Sequence, residues 1–143
     1  RWFTLLSGEG VALDFPDHPL TLRPGDAPLA FDGAAAPGCR LMGGPVRDLN
    51  LMVRDGAGGI ATVSPGTAWQ APAGAQAGLF ARVPGRWRNG EEQRTLPTLS
   101  LLWFDAPPPG DWRFEPDPTS LIELNPPAPA GWWLHHIPEG VTP

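Results

Sequence analysis

Residues 1–33 read RWFTLLSGEGVALDFPDHPLTLRPGDAPLAFDG. Short runs of Leu, Val, Phe and Thr alternate here with breaks made of Gly and Pro, which is typical of β-strands joined by tight turns. Ser7-Gly8-Glu9-Gly10 predicts a hairpin, because both glycines can take a positive φ. Pro24-Gly25-Asp26 predicts a second turn, in which Pro presets φ and Gly takes the left-handed position.

The same punctuation continues along the chain of 143 residues, which contains 20 prolines and 18 glycines. No helical stripe longer than two turns survives between these breaks. Asn89-Gly90 is the strongest short hairpin signal in the sequence. Many short strands separated by turns indicate a sandwich or barrel and not a βαβ fold. Strands are predicted at residues 2–6, 11–15, 20–23, 30–31, 39–42, 47–54, 59–63, 79–83, 98–104 and 120–124.

Composition excludes several classes of protein. The net charge of −5 opposes binding to nucleic acid, and all ten basic residues are Arg, which excludes Schiff-base lysine chemistry. No apolar run approaches the roughly 20 residues of a membrane span, and no export leader is recognisable. The single cysteine, Cys39, cannot form an internal disulfide. We therefore expect a soluble cytoplasmic protein with no membrane or nucleic-acid partner.

A jelly roll, or double-stranded β-helix, is predicted for residues 1–124, either as one body or as two lobes at residues 1–55 and 77–124. Residues 125–143 are set apart as a tail rich in Pro and Trp. Trp132 and Trp133 in this tail should dock on the domain or on a second copy of the chain, since exposed they would form an apolar patch. A homodimer is therefore one expected partner arrangement.

Residues 39–55, CRLMGGPVRDLNLMVRD, resemble the HutD/Ves family of cupin-like bacterial proteins linked to histidine utilisation. The family pattern is a Leu-x-x-Gly run followed by Asp-Phe-Asn-x-Met-x-Arg, which appears at residues 48–54 with Leu49 in place of the usual aromatic residue. The run at residues 31–33 and Arg1 before the first strand also fit. The resemblance is good over residues 1–55 and thin beyond them.

The resemblance implies a cupin-like fold and a small-molecule pocket beside Arg1. The family also carries an N-terminal segment with a Trp-Lys-Asn-Gly-Gly-type motif, which this sequence lacks. We therefore expect that an N-terminal segment is missing before Arg1 and that part of the ligand pocket could lie in it.

Residues 47–54 carry the candidate site. If these residues form a strand, one face carries Leu49, Leu51 and Val53. The other face carries a polar set, which consists of Asp48, Asn50, Met52 and Arg54. In one interpretation the polar set faces water and the leucines form the core. In the other, the polar set lines the barrel lumen and the leucines pack against a second sheet. The presence of Met52 in the polar set slightly favours the second interpretation. With the two positions added by resemblance, the predicted ligand-binding residues are Arg1, Phe31, Asp48, Asn50, Met52 and Arg54.

Metal and nucleophilic chemistry are not expected. His18 lies in a predicted loop, and neighbouring His135 and His136 would point to opposite faces of a strand. No His lies near Cys39 in the sequence, and no Gly-rich stretch has the ending of a phosphate loop. Residues 56–59 are one of these Gly-rich stretches, and they are interpreted as a hairpin loop.

The predicted function is therefore non-catalytic binding of a small carboxylate metabolite, with no cofactor and no metal. By resemblance this would be an intermediate of histidine degradation, bound to regulate histidine utilisation. Two alternatives stay open: a metal-independent cupin isomerase or lyase with Asp48 or Glu9 as general base, and a protein-interaction module that uses Trp132 and Trp133.

Overall fold

The computed structural model describes residues 1–123 and 128–140, and the chain divides into two compact units, Arg1–Met52 and Val53–Pro143. These are called the first and second lobe below. The described residues form thirteen β-strands and one α-helix of six residues. Among them, no helix has the length and apolar character needed to cross a membrane.

The first lobe is a sandwich of two three-stranded antiparallel sheets. One sheet has the order β4-β1-β6 and the other β3-β2-β5. Their core contains Leu5, Val11, Leu13 and Leu22, all buried. A short 3-10 turn at Gly33–Ala35 follows β4. The strands are β1 (Trp2–Ser7), β2 (Val11–Asp14), β3 (Pro19–Leu22), β4 (Leu29–Ala30), β5 (Gly38–Leu41) and β6 (Arg47–Leu51).

The second lobe contains the remaining strands and the helix. Its sheets have the orders β11-β8-β13-β7 and β10-β9-β12, again antiparallel. The elements are β7 (Ala57–Thr62), β8 (Gln76–Ala81), β9 (Gly85–Asn89), β10 (Glu92–Leu96), β11 (Ser100–Phe104), β12 (Trp112–Pro116), α1 (Pro118–Glu123) and β13 (Gly131–Ile137).

The two lobes repeat one topology. When β1–β6 are matched in order with β8–β13, the sheet β4-β1-β6 corresponds to β11-β8-β13, and β3-β2-β5 corresponds to β10-β9-β12. Strand β7 is the one addition, paired with β13 at the sheet edge. In each lobe the chain passes back and forth between the two sheets, as in a jelly roll. The predicted all-β, cupin-like fold is confirmed.

The second lobe is filled by aromatic rings. Trp87 and Trp112 are fully buried and meet edge to face, with ring centroids 5.1 Å apart. Trp69 stacks on Trp133 at 5.2 Å, and Phe104 contacts Trp112 at 5.2 Å. The indole N–H of Trp112 donates to the carbonyl of Pro108 at 3.0 Å. Offset and edge-to-face pairs add to the area that such rings bury.

Most of the predicted strands are present within one to three residues of their predicted bounds. The turn at residues 23–26 is confirmed by the 3.1 Å hydrogen bond from the amide of Asp26 to the carbonyl of Arg23, with a positive φ at Gly25. The Asn89-Gly90 hairpin is confirmed too, since β9 pairs with β10 across it. Strands β9, β10, β12 and β13 were not among the predicted strands.

Several local predictions are wrong. The Ser7–Gly10 turn does not make a hairpin, because β1 and β2 belong to different sheets. Residues 120–123 belong to a helix and not to a strand; α1 begins at Pro118, where the carbonyl of Asp117 accepts hydrogen bonds from Ser120 and Leu121. An Asp-Pro pair is a typical helix start, because Pro needs no N–H partner in the first turn.

Three further boundaries differ from the prediction. The strand predicted at residues 47–54 ends at Leu51. Residues 57–59, interpreted as a hairpin loop, lie within β7. Part of the predicted tail, residues 131–137, is β13, an inner strand of the four-stranded sheet with Trp132 and Trp133 buried. Residues 124–127 and 141–143 lie outside the described residues.

We expect Trp112→Ala to lower the free energy of unfolding by about 3–5 kcal/mol, because it removes a buried ring that four other aromatic rings contact. Urea denaturation followed by circular dichroism measures this. Arg94→Ala, at an exposed position of β10, is the control and should change stability by less than about 0.5 kcal/mol. If the two variants had the same urea midpoint of unfolding, the aromatic cluster would not be a main source of stability.

Candidate functional site

The pairing of β1 with β6 decides which way the polar residues of β6 point. Phe3 pairs with Asn50, and Leu5 pairs with Asp48. Residues directly opposite each other in an antiparallel pair project from the same face of the sheet. Leu5 is a buried core residue of the first lobe, and Phe3 packs against that core. Asp48 and Asn50 therefore share the inward face of the sheet β4-β1-β6.

Arg1 lies on the same face of the sheet, in the next row of side chains, because it stands two residues before Phe3. The backbones of Arg1 and Phe31 exchange two hydrogen bonds, of 2.8 and 2.9 Å, which continue the pairing of β1 with β4. The guanidinium carbon of Arg1 lies 5.9 Å from the centre of the Phe31 ring, and its Nη2 is 3.0 Å from the sulfur of Met52. The cation thus rests on two soft, polarisable groups.

Five of the six predicted residues are therefore brought to one inward face of the first lobe. The amide of Asn50 donates a short hydrogen bond to the carboxylate of Asp48. Both side chains, and those of Arg1 and Met52, remain exposed to solvent at this face. None of the three ion pairs among the described residues involves Arg1 or Asp48.

The sixth residue, Arg54, follows the end of β6 and belongs to the second lobe. Glu9, an alternative general base, lies in the exposed turn after β1, whereas Arg1 precedes that strand. The strand therefore separates Glu9 from the row that contains Arg1.

The site is extended by two aromatic residues, Phe15 and His18, which were not predicted from the sequence to belong to it. The ring of Phe15 meets Phe31 edge to face at 5.4 Å and stacks on His18 at 5.6 Å. Phe15 also packs against the core of the first lobe. Its position continues the alternation of Val11 and Leu13, so the period of the strand was the signal that could have placed it on the inward face.

His135 takes the place in the second lobe that Asn50 has in the first. It pairs with Ala77, the second residue of β8, as Asn50 pairs with Phe3, the second residue of β1. On its other side lies Gly59, where any Cβ would collide with the imidazole ring. Burial, and secondarily the charge of neighbouring His136, lower the pKa of His135. Within residues 1–123 and 128–140, no three His, Cys, Asp or Glu side chains are grouped as metal ligands.

The sequence matches the HutD family over residues 1–121, which is most of the chain. The chain belongs to the HutD family. Its membership is consistent with a role in histidine utilisation. The match covers the first lobe and much of the second, so the resemblance is not confined to residues 1–55. Comparison with curated proteins and with solved structures found no match.

The lowered pKa of His135 predicts a pH dependence of stability. Above pH 6.5, the ordinary pKa of the group, the imidazole is neutral in both the folded and the unfolded chain. Below pH 6.5, the unfolded chain takes up a proton that the folded chain resists. The free energy of unfolding therefore decreases as the pH is lowered. We expect His135→Gln to reduce this loss, measured as urea midpoints from pH 7.5 to pH 5.

His18→Gln is the matched control, because the His18 side chain is exposed in the first lobe. Its urea midpoints are measured at the same pH values, so that the effect of removing any one imidazole is separated from the effect of removing His135. A parent and a His135→Gln variant with parallel pH profiles would show that His135 carries no such penalty.

Proposed function

We propose that this HutD protein binds a small carboxylate metabolite of histidine degradation on the inward face of its first lobe, without catalysis, and so regulates histidine utilisation in the cytoplasm. The observation that carries the proposal is the register of β6 on β1, which puts a guanidinium, a carboxylate and an amide on one solvent-accessible face.

The guanidinium of Arg1 supplies the recognition of a carboxylate. Its planar fork can donate two parallel hydrogen bonds to the two oxygens of a carboxylate, and such charge-assisted bonds are stronger than those between neutral groups. Phe31 and Met52 support the cation without neutralising it, because neither carries a charge. An anionic ligand therefore meets an available counter-charge in the row of Arg1.

Asp48 and Asn50 supply the second half of the recognition. The carboxylate of Asp48 accepts hydrogen bonds only, and Asn50 retains an amide oxygen that also accepts. A ligand group with N–H donors fits here. Along β6, Asp48 is four residues from Met52, so the two ends of the site are about 13 Å apart at about 3.3 Å per residue. Intermediates of histidine degradation combine a carboxylate with a nitrogen-bearing group.

The proposal is tested by isothermal titration calorimetry with urocanate, formiminoglutamate and formylglutamate. We expect one of the three to bind, and Arg1→Gln to weaken its binding about tenfold or more, since a charge-assisted hydrogen bond contributes roughly 1.5–3 kcal/mol. Arg40→Gln is the matched control: Arg40 pairs with Asp14 at 3.3 Å in the opposite sheet, and its loss should leave affinity unchanged.

Two results would contradict the proposal. The absence of heat with all three compounds would remove the ligand class, and an unchanged affinity in Arg1→Gln would remove the site. Proton NMR of the bound compound after prolonged incubation tests the non-catalytic part. We expect its spectrum to stay the same, and conversion that disappears in Asp48→Asn would favour an enzyme with Asp48 as general base.

A further inference from the structure

The second lobe has a cavity at one of its ends. By the match of strand order, this end corresponds to the end of the first lobe that carries the candidate site. In the first lobe this end is formed by Arg1 before β1 and by Phe31 after β4. In the second lobe the equivalent segments precede β8 and follow β11. Residues 70–75 and 105–110 of these segments line a cavity of about 480 Å³. Pockets of roughly 300–1,000 Å³ are typical of small-ligand sites.

The lining of this cavity is rich in acceptors and poor in donors. Four of its twelve residues are prolines, which have no backbone N–H: Pro72, Pro107, Pro108 and Pro109. No Lys or Arg is among the twelve, and Asp105 is the one charged residue. The side-chain amide of Gln70 already donates to Asp111 at 2.8 Å. The chemistry of the wall thus opposes an anion and favours a ligand that brings its own N–H donors.

The loop of residues 105–110 is held from inside the lobe. Asn89 donates to the carbonyl of Pro109 at 3.0 Å, and the buried ring of Trp112 donates to that of Pro108 at 3.0 Å. Because these bonds join the proline segment to β9 and β12, the wall of the cavity is organised before any ligand arrives. A preformed wall reduces the conformational entropy that the protein loses on binding a ligand.

Asp105 is oriented by a chain of hydrogen bonds. Gln76 donates from Nε2 to Oδ1 of Asp105 at 3.2 Å, which fixes the direction of its amide. The oxygen of that amide lies 3.2 Å from Nδ1 of His136, and Nε2 of His136 lies 2.8 Å from the carbonyl of Asp55. Gln76 is thus held between Asp105 on one side and His136 on the other.

The hydrogen bonds of the His136 ring go to Gln76 and Asp55 and not to the carboxylate of Asp105. Within the described residues, Oδ2 of Asp105 accepts no hydrogen bond. The structure therefore presents an oriented carboxylate with a free oxygen at the rim of a donor-poor cavity.

We infer that this cavity binds an organic cation with several N–H donors, a primary ammonium or a guanidinium group, with Asp105 as its counter-charge and Gln76 as a positioning residue. The site is separate from the carboxylate site proposed for the first lobe and does not depend on it. Because Asp105 is exposed, solvent screens the ion pair and we expect millimolar affinity.

The test is titration of the ¹⁵N-labelled 15.3 kDa chain with n-butylammonium and n-butylguanidinium, up to about 10 mM, followed by amide chemical shifts. Sodium butyrate and n-butanol are the matched anionic and neutral probes. We expect the cations, and neither control probe, to shift the amides of Gly74, Ala75, Ala106 and Gly110.

Variants assign the effect to the proposed groups. Asp105→Asn keeps the shape of the side chain and should weaken cation binding about threefold to fivefold, because solvent screens an exposed ion pair, whereas Asp17→Asn, at an exposed loop position of the first lobe, should leave it unchanged. Gln76→Met keeps a similar volume without the amide, and we expect a smaller loss, because the carboxylate stays but is no longer oriented.

Several outcomes would overturn the inference: no shifts at the cavity with either cation, butyrate shifts as large as those of the cations, or equal cation affinity in the parent and in Asp105→Asn. Cation-induced shifts confined to the amides around Arg1 and Phe31 would also overturn it. None of these results bears on the binding of a carboxylate metabolite by Arg1, which the calorimetry tests separately.

Discussion

Everything assigned to the first lobe depends on the register between β1 and β6. Phe3 and Leu5 lie on the core side of β1, so the residues opposite them, Asn50 and Asp48, must lie on that side as well. A shift of one residue would turn the polar groups away and present Leu49 and Leu51 instead, because side chains alternate with a period of two. The burial of Leu5 fixes the orientation of β1, so the register of β6 on β1 decides which residues of β6 share that side.

The two lobes have the same strand order but fill their interiors differently. The first packs Leu and Val around its core and leaves polar groups at one end of a sheet. The second fills the same space with Trp and Phe, so His135, at the place equivalent to Asn50, is half-buried beside Gly59. A common backbone topology therefore carries different chemistry, since the strand order does not specify the side chains at the ends of the sheets.

Turn chemistry made part of the fold predictable from sequence, whereas the partners of each strand were not predictable. The turn at residues 23–26 and the Asn89-Gly90 hairpin follow from local backbone preferences, and both are present. The Ser7–Gly10 turn has similar residues but crosses from one sheet to the other. Glycine permits a sharp reversal in both cases; which strands then pair depends on the packing of apolar faces far apart in the chain.

Sequence alone determined the all-β class, the resemblance to the HutD family and the alternation that keeps Asp48 and Asn50 on one face, because each depends on residue type and local spacing. Tertiary structure decided which face is inward, that β13 is an inner strand with buried Trp132 and Trp133, and that residues 70–75 and 105–110 line one open cavity. These features arise from contacts between residues distant in sequence, whose energies no local pattern records.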